Sequence, residues 1–210
     1  MIRNLKVLGL ALAAVFAMSA MVASAASAAN FTAPSATTTI VGDQTTTHKL
    51  TVTGVGITCT DVSFHGVSGG TNVSSVTITP TYTGCTTDTL GLSAKVTGFG
   101  HYGESSTCDY VLYASGTADL VCAAGAEVGI TAGTCSVKIP AQKGLGTITY
   151  TNGKGDINAS ININNISGTH TDGFGCPFAS SGSFSNGTLS GSSTVQGSSE
   201  GKTVTISYDA

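Results

Sequence analysis

Residues 108–122 read CDYVLYASGTADLVC, and this stretch decides the fold. Tyr110 and Leu112 alternate with polar or smaller neighbours, Ala118, Leu120 and Cys122 do the same, and Ser115-Gly116 lies between the two runs. A two-residue period broken by a Ser-Gly turn predicts a β-hairpin. A turn centred there sets Cys108 opposite Cys122, within reach of a cross-strand disulfide. Closing a loop of that size stabilises a fold by roughly 3 kcal/mol in the chain-entropy model.

The same period runs outward in both directions. Leu50 and Val52, then Ile57 and Cys59, share faces, and Val62 with Phe64 continue out of phase, so a bulge is expected at Thr60-Asp61. Val76, Ile78, Pro80 and Tyr82 alternate, and Pro80 predicts an edge strand or a strand end. Leu92, Ala94 and Val96 follow, then Val128 and Ile130 pair with Cys135, Val137 and Ile139 around Ala132-Gly133. Ile148 and Tyr150 precede the turn signal Asn152-Gly153, and Ile157, Ala159, Ile161 and Ile163 give the cleanest alternation in the chain. Phe184, Leu189, Val195, Val204, Ile206 and Tyr208 close the pattern. Helical spacing of apolar residues is absent after residue 30, so about a dozen short antiparallel strands are expected. A disulfide-bonded β-sandwich-like domain is the first expectation, with a β-barrel or β-solenoid as the alternative.

The first thirty residues follow different rules. Arg3 and Lys6 precede an uncharged apolar run from Val7 to Val22, and the small residues ASAASAA lead to Asn30. A basic start, an apolar middle and an A-x-A exit describe a secretory signal peptide over 1–28, cut after Ala26-Ser27-Ala28. The run is shorter than the ~20 residues of a spanning helix, so no membrane span is expected once the leader is removed. Residues 29–47, rich in Thr, Ala and Ser with Pro34, are expected to form an exposed lead-in or an edge strand, and 48–210 one β-rich domain.

Without the leader the chain keeps six lysines, no arginine and all eleven carboxylates, a formal charge of −5. Lacking arginine forks and a basic patch, it is not expected to bind nucleic acid. Charged residues make up only 9% of the chain and tryptophan is absent, so the core must come from Val, Ile, Leu and Ala. All six cysteines (59, 85, 108, 122, 135 and 176) follow the leader, and an even number in an exported protein reads as three disulfides. Proximity suggests Cys59–Cys85, which leaves Cys135–Cys176. Their spacing lacks the short knuckles of zinc sites, so no metal and no cofactor is expected.

Few residues carry chemistry. Gly66-Val67-Ser68-Gly69-Gly70 fits G-x-S-x-G, and Gly98-Phe99-Gly100-His101-Tyr102-Gly103 fits G-x-G-x-x-G. Both motifs require a following helix, and strand-like sequence follows each instead. The second is read as a loop whose Phe99, His101, Tyr102 and Glu104 form a candidate binding surface, since these types stack on and hydrogen-bond to ligands. His170 with Asp172 would share a strand face as an acid/base or metal pair, while His48, His65 and His101 are scattered. Asp109 and Asp119 lie across the hairpin as a candidate carboxylate pair. Asn-x-Ser/Thr at 30, 72, 158, 165 and 186 is what chance gives in so polar a chain.

The order ITC, VTITPTYTGC, TCDYVLYASGTADLVC, ITAGTCSVKIPAQ, ITYTNG and THTDGFGCPF, from Ile57 to about Val195, resembles small secreted six-cysteine β-rich proteins of high-GC Gram-positive bacteria. The resemblance implies export and the six-cysteine framework, and it carries no catalytic residue across. A secreted or cell-surface β-domain is therefore expected, acting by non-catalytic binding or as an envelope component, with glycans or surface proteins as partners. Two alternatives are an extracellular glycoside hydrolase using Asp109, Asp119 or Glu104, and a secreted inhibitor or toxin presenting residues 98–104.

Overall fold

The computed structural model describes residues 28–101, 104, 107–174, 176 and 180–210. Most of the expected leader (1–28) lies outside them. Sixteen strands and no helix form among the described residues: β1 (Asn30–Thr32), β2 (Thr39–Val52), β3 (Val55–Val67), β4 (Asn72–Val73), β5 (Ser75–Thr87), β6 (Ser93–Thr97), β7 (Cys108–Tyr113), β8 (Ala118–Cys122), β9 (Val128–Ala132), β10 (Cys135–Ile139), β11 (Gln142–Leu145), β12 (Thr147–Asn152), β13 (Asp156–Thr171), β14 (Gly182–Ser199), β15 (Lys202–Val204) and β16 (Ser207–Asp209).

Every pairing between these strands is antiparallel, and eight of them close on themselves in the order β5-β3-β2-β14-β13-β10-β9-β6 and back to β5. The seam is short, with Cys85 opposite Ala94 and Thr86 opposite Ser93. The architecture is thus the barrel alternative and not a sandwich. Alternation has the same period in both, and only the return pairing of β6 on β5 removes the free edges a sandwich keeps. An eight-stranded barrel is just wide enough for side chains to fill it, and here Val52, Ile57, Ile130, Ile163 and Leu189 are among those that do.

Two strands change partner along their length. β5 pairs with β7 through 75–78 and with β6 through 85–86. β13 pairs with β12 through 157–162 and with β10 through 169–171. Beyond these splits β7, β8, β11 and β12 continue the wall, joined where Ile148 N–H donates to Gly116 O (2.8 Å). The far end is closed by the small sheet β16-β1-β4 and by Phe31, which meets Tyr150 edge-on at 5.0 Å.

Residues 29–47 are not an exposed lead-in. They supply β1 and the first half of β2, a central barrel strand, and Phe31, Ala33, Thr38 and Ile40 are buried. Threonine suits a strand as well as a loop, and so few apolar residues left the alternation too sparse to read. The phase slip at Thr60-Asp61 is present, but the β3–β5 register runs through it unshifted. The extra residue lies in β2, where five steps from Asp43 to His48 match four on β3. Pro80 sits in the middle of β5, inside the interval from 79 to 84 that neither β6 nor β7 covers, so β5 is an edge there and nowhere else.

Disulfides join Cys59 to Cys85 across β3 and β5, Cys108 to Cys122 across β7 and β8, and Cys135 on β10 to Cys176. Among the described residues no helix is long and apolar enough to cross a membrane.

Candidate functional site

The two splits in the wall are finished differently. At β13 the gap is laced by amide side chains from both sides. Gln142 donates to Ser167 O and accepts from Ser167 N–H (3.1 and 2.9 Å), while Asn165 accepts from Gly146 N–H and donates to Gly144 O (3.0 and 3.2 Å). At β5 the bridges are between side chains only, Thr79 Oγ1 to Asp109 and Tyr82 OH to Tyr110 OH; no amide side chain reaches backbone across the gap among the described residues, and a groove of about 430 Å³ opens there. That volume lies within the range of small-molecule sites, roughly 300–1,000 Å³.

Pro80, Thr81 and Tyr82 of β5 form one wall of the groove, Val96 and Phe99 another, and Gly100, His101 and Glu104 the rim. The loop carrying Phe99 is pinned at its base. Cys108 N–H donates to Gly98 O (2.8 Å), Ala123 N–H donates to Thr107 O (3.1 Å), and the Cys108–Cys122 disulfide ties the following hairpin. Gly98 has φ +96° and its missing Cβ would stand 2.2 Å from Glu127 O, so only glycine fits there. Glu104 N–H donates to His101 O (3.0 Å), and both residues line the groove.

Behind the rim are three aromatic rings in contact. Phe99 lies 5.8 Å from Tyr82 and 5.3 Å from Tyr110, ring centre to ring centre, and the two phenol oxygens are 3.4 Å apart. Burial raises both phenols above their ordinary value, and for Tyr82 the neighbouring Tyr110 adds to the shift. Both therefore remain protonated in neutral water. The site offers aromatic faces, the Thr81 hydroxyl, one carboxylate and one imidazole. That set suits hydrogen-bonding recognition, and a single carboxylate cannot provide the paired groups of glycoside hydrolysis.

Phe99, His101 and Glu104 of the sequence-predicted surface are thus brought together, and Tyr102 lies outside the described residues. Asp109 and Asp119 sit diagonally on the hairpin, and each carboxylate already has partners. Asp109 accepts from Thr79 Oγ1 (2.5 Å), and Asp119 accepts from Tyr113 OH (3.0 Å) and Gly144 N–H (2.8 Å). Asp119 in turn raises the Tyr113 phenol, chiefly through that hydrogen bond. Ser68 donates to Ser35 O (2.8 Å) and is followed by β4 and not a helix, so it anchors a turn. His170 is buried with Nε2 2.7 Å from Ser180 O, which makes Nε2 the donor, whereas Asp172 is exposed and its N–H donates to Ser181 Oγ (2.8 Å). No group of three His, Cys, Asp or Glu suited to a metal occurs among the described residues.

Tyr82 and Tyr110 were missed in sequence. Both lie in clear alternations, but the pairing of Ile78 with Tyr110 that brings their strands together is not a local property. No protein family, no curated protein and no solved structure matches this chain.

Proposed function

We propose that this protein is an exported, non-catalytic binding domain whose ligand, a short neutral saccharide, seats in the groove at the β5 split. The observation that carries the reading is the contrast between the splits: one is laced shut by Gln142 and Asn165, the other is left as a polar groove backed by aromatic rings. Aromatic faces with a few convergent polar groups are what fix orientation in small-ligand sites. The acidic chain, free of arginine after residue 28, disfavours anionic ligands. Three disulfides and the leader-like first 28 residues support export to an oxidising compartment, as does the resemblance to secreted six-cysteine proteins.

Calorimetric titration of the oxidised protein with short oligomers of glucose, mannose, xylose and N-acetylglucosamine tests this. Binding of one class is expected, weakened roughly tenfold or more by Glu104→Gln, since hydrogen bonds to charged groups contribute about 1.5–3 kcal/mol. The saccharide should be recovered intact after incubation. Binding unaffected by Glu104→Gln and His101→Ala, or release of reducing ends, would overturn the reading.

A further inference from the structure

The groove does not end at its aromatic wall. Tyr82, Val96 and Phe99 line it on one side, and the same three residues line an apolar cavity of about 50 Å³ inside the barrel on the other. The opposite wall of that cavity includes Ile163 and Leu189, cross-strand partners on β13 and β14. A single layer of side chains therefore separates the outer groove from the barrel interior, in the interval where β5 is paired with β3 but has neither β6 nor β7 on its other side.

Phe99 is the member of that layer with the least backbone pairing. Tyr82 stands on a strand paired with β3, and Val96 on a strand paired with β9. Phe99 lies outside the named strands, joined to Cys108 by one isolated bridge. Rotation of its side chain breaks no ladder.

Volume then sets what can pass. An apolar cavity of roughly 150 Å³ holds benzene, so the existing 50 Å³ is too small for a ligand group. Phe99 carries a benzene-sized ring of its own. Turning that ring outward vacates about the missing volume and leaves a lining without charge.

Resting on the saccharide reading of the groove, we infer that the ligand is an amphipathic glycoside. Its sugar sits against His101 and Glu104, and its short apolar aglycone takes the place of the Phe99 ring inside the barrel. The aglycone must be a short chain or a single ring, because the cavity is bounded on its far side by Ile163 and Leu189. A glycolipid whose chains stay in a bilayer cannot offer its tail to this cavity.

Methyl and hexyl β-glycosides of the sugar class preferred in the groove are the probes. Hexyl glycoside is expected to bind the wild-type protein at least roughly tenfold more tightly than methyl glycoside, from burial of its methylenes. It should also shift the NMR signals of the Ile163 and Leu189 methyl groups, which the methyl glycoside leaves in place. Phe99→Ala should widen the preference by removing the gate, and the shift measurement on the wild-type protein stands without that variant. Vesicles bearing a glycolipid of the same sugar should bind no better than methyl glycoside. Equal affinities with unmoved interior methyls would refute the inference and leave the groove reading intact. Failure of both glycosides to bind would refute the two together.

Discussion

Acidification should destabilise this barrel through His48. The side chain is 2% exposed, at the level of the bulge in β2, with Nε2 3.0 Å from Ser193 Oγ and its ring 5.8 Å from that of Phe64. No carboxylate is paired with it, and burial pushes its pKa down, opposed in part by the Ser192 backbone. The folded state thus holds a neutral imidazole, while the unfolded chain titrates near 6.5. A depressed histidine contributes stability that is complete above the unfolded value. It is lost as pH falls below that value, until the folded pKa is reached. Within that window the slope approaches about 1.4 kcal/mol per pH unit, a sizeable part of the roughly 5–15 kcal/mol that holds a domain together. Urea unfolding at pH 7.5, 6.5 and 5.5 of wild type and His48→Gln, which keeps a hydrogen-bonding group but does not titrate, measures the effect. Every other titrating group is common to both proteins, so their difference isolates His48. The wild type should lose ground to the variant steadily as pH falls. Parallel curves, or a wild type that gains on acidification, would refute a neutral buried imidazole.

Three further changes follow from the same geometry. Gly191→Ala places a Cβ 2.5 Å from His48 Cδ2, which should cost about 1–3 kcal/mol; the cost should shrink when His48→Ala is made as well, as a double-mutant cycle would show. Asp119→Ala removes the buried carboxylate that holds Gly144 N–H where β11 is irregular, and a loss of about 2 kcal/mol in chemical denaturation is expected. Thr53, at φ +47° before Gly54 at φ +84°, occupies a hairpin turn that favours asparagine, so Thr53→Asn should raise stability by roughly 0.5–1 kcal/mol and with it the thermal midpoint.

The strands were largely legible because β-branched residues alternate with polar ones, and the turns because Ser115-Gly116, Ala132-Gly133 and Asn152-Gly153 interrupt that alternation. What sequence could not show was closure. Cys85 and Ala94 pair as a local hairpin, but closing the ring also needs Leu50 on Leu189 and Val96 on Ile130, ladders between strands far apart in sequence that no local pattern specifies. The stretch 182–199 misled for a different reason. Only Phe184, Leu189 and Val195 mark it among serines and glycines, too few to show that it forms one strand of 18 residues between β13 and β2. Gly187 and Gly197 leave room there for Phe184 and Ile206, whose side chains a Cβ would meet at 3.0 and 2.6 Å. The groove was half legible: the types in the 98–104 loop marked it, while Tyr82 and Tyr110 behind it come from strands that the loop only joins in space.

The account stands on β5 leaving β7 for β6 and keeping an open interval between them. Backbone NOEs across β5 test this most directly. Contacts are expected between Ile78 and Tyr110 and between Cys85 and Ala94, with none linking residues 80–83 to either β6 or β7. A continuous ladder of contacts along that interval, or no contact between Cys85 and Ala94, would contradict it.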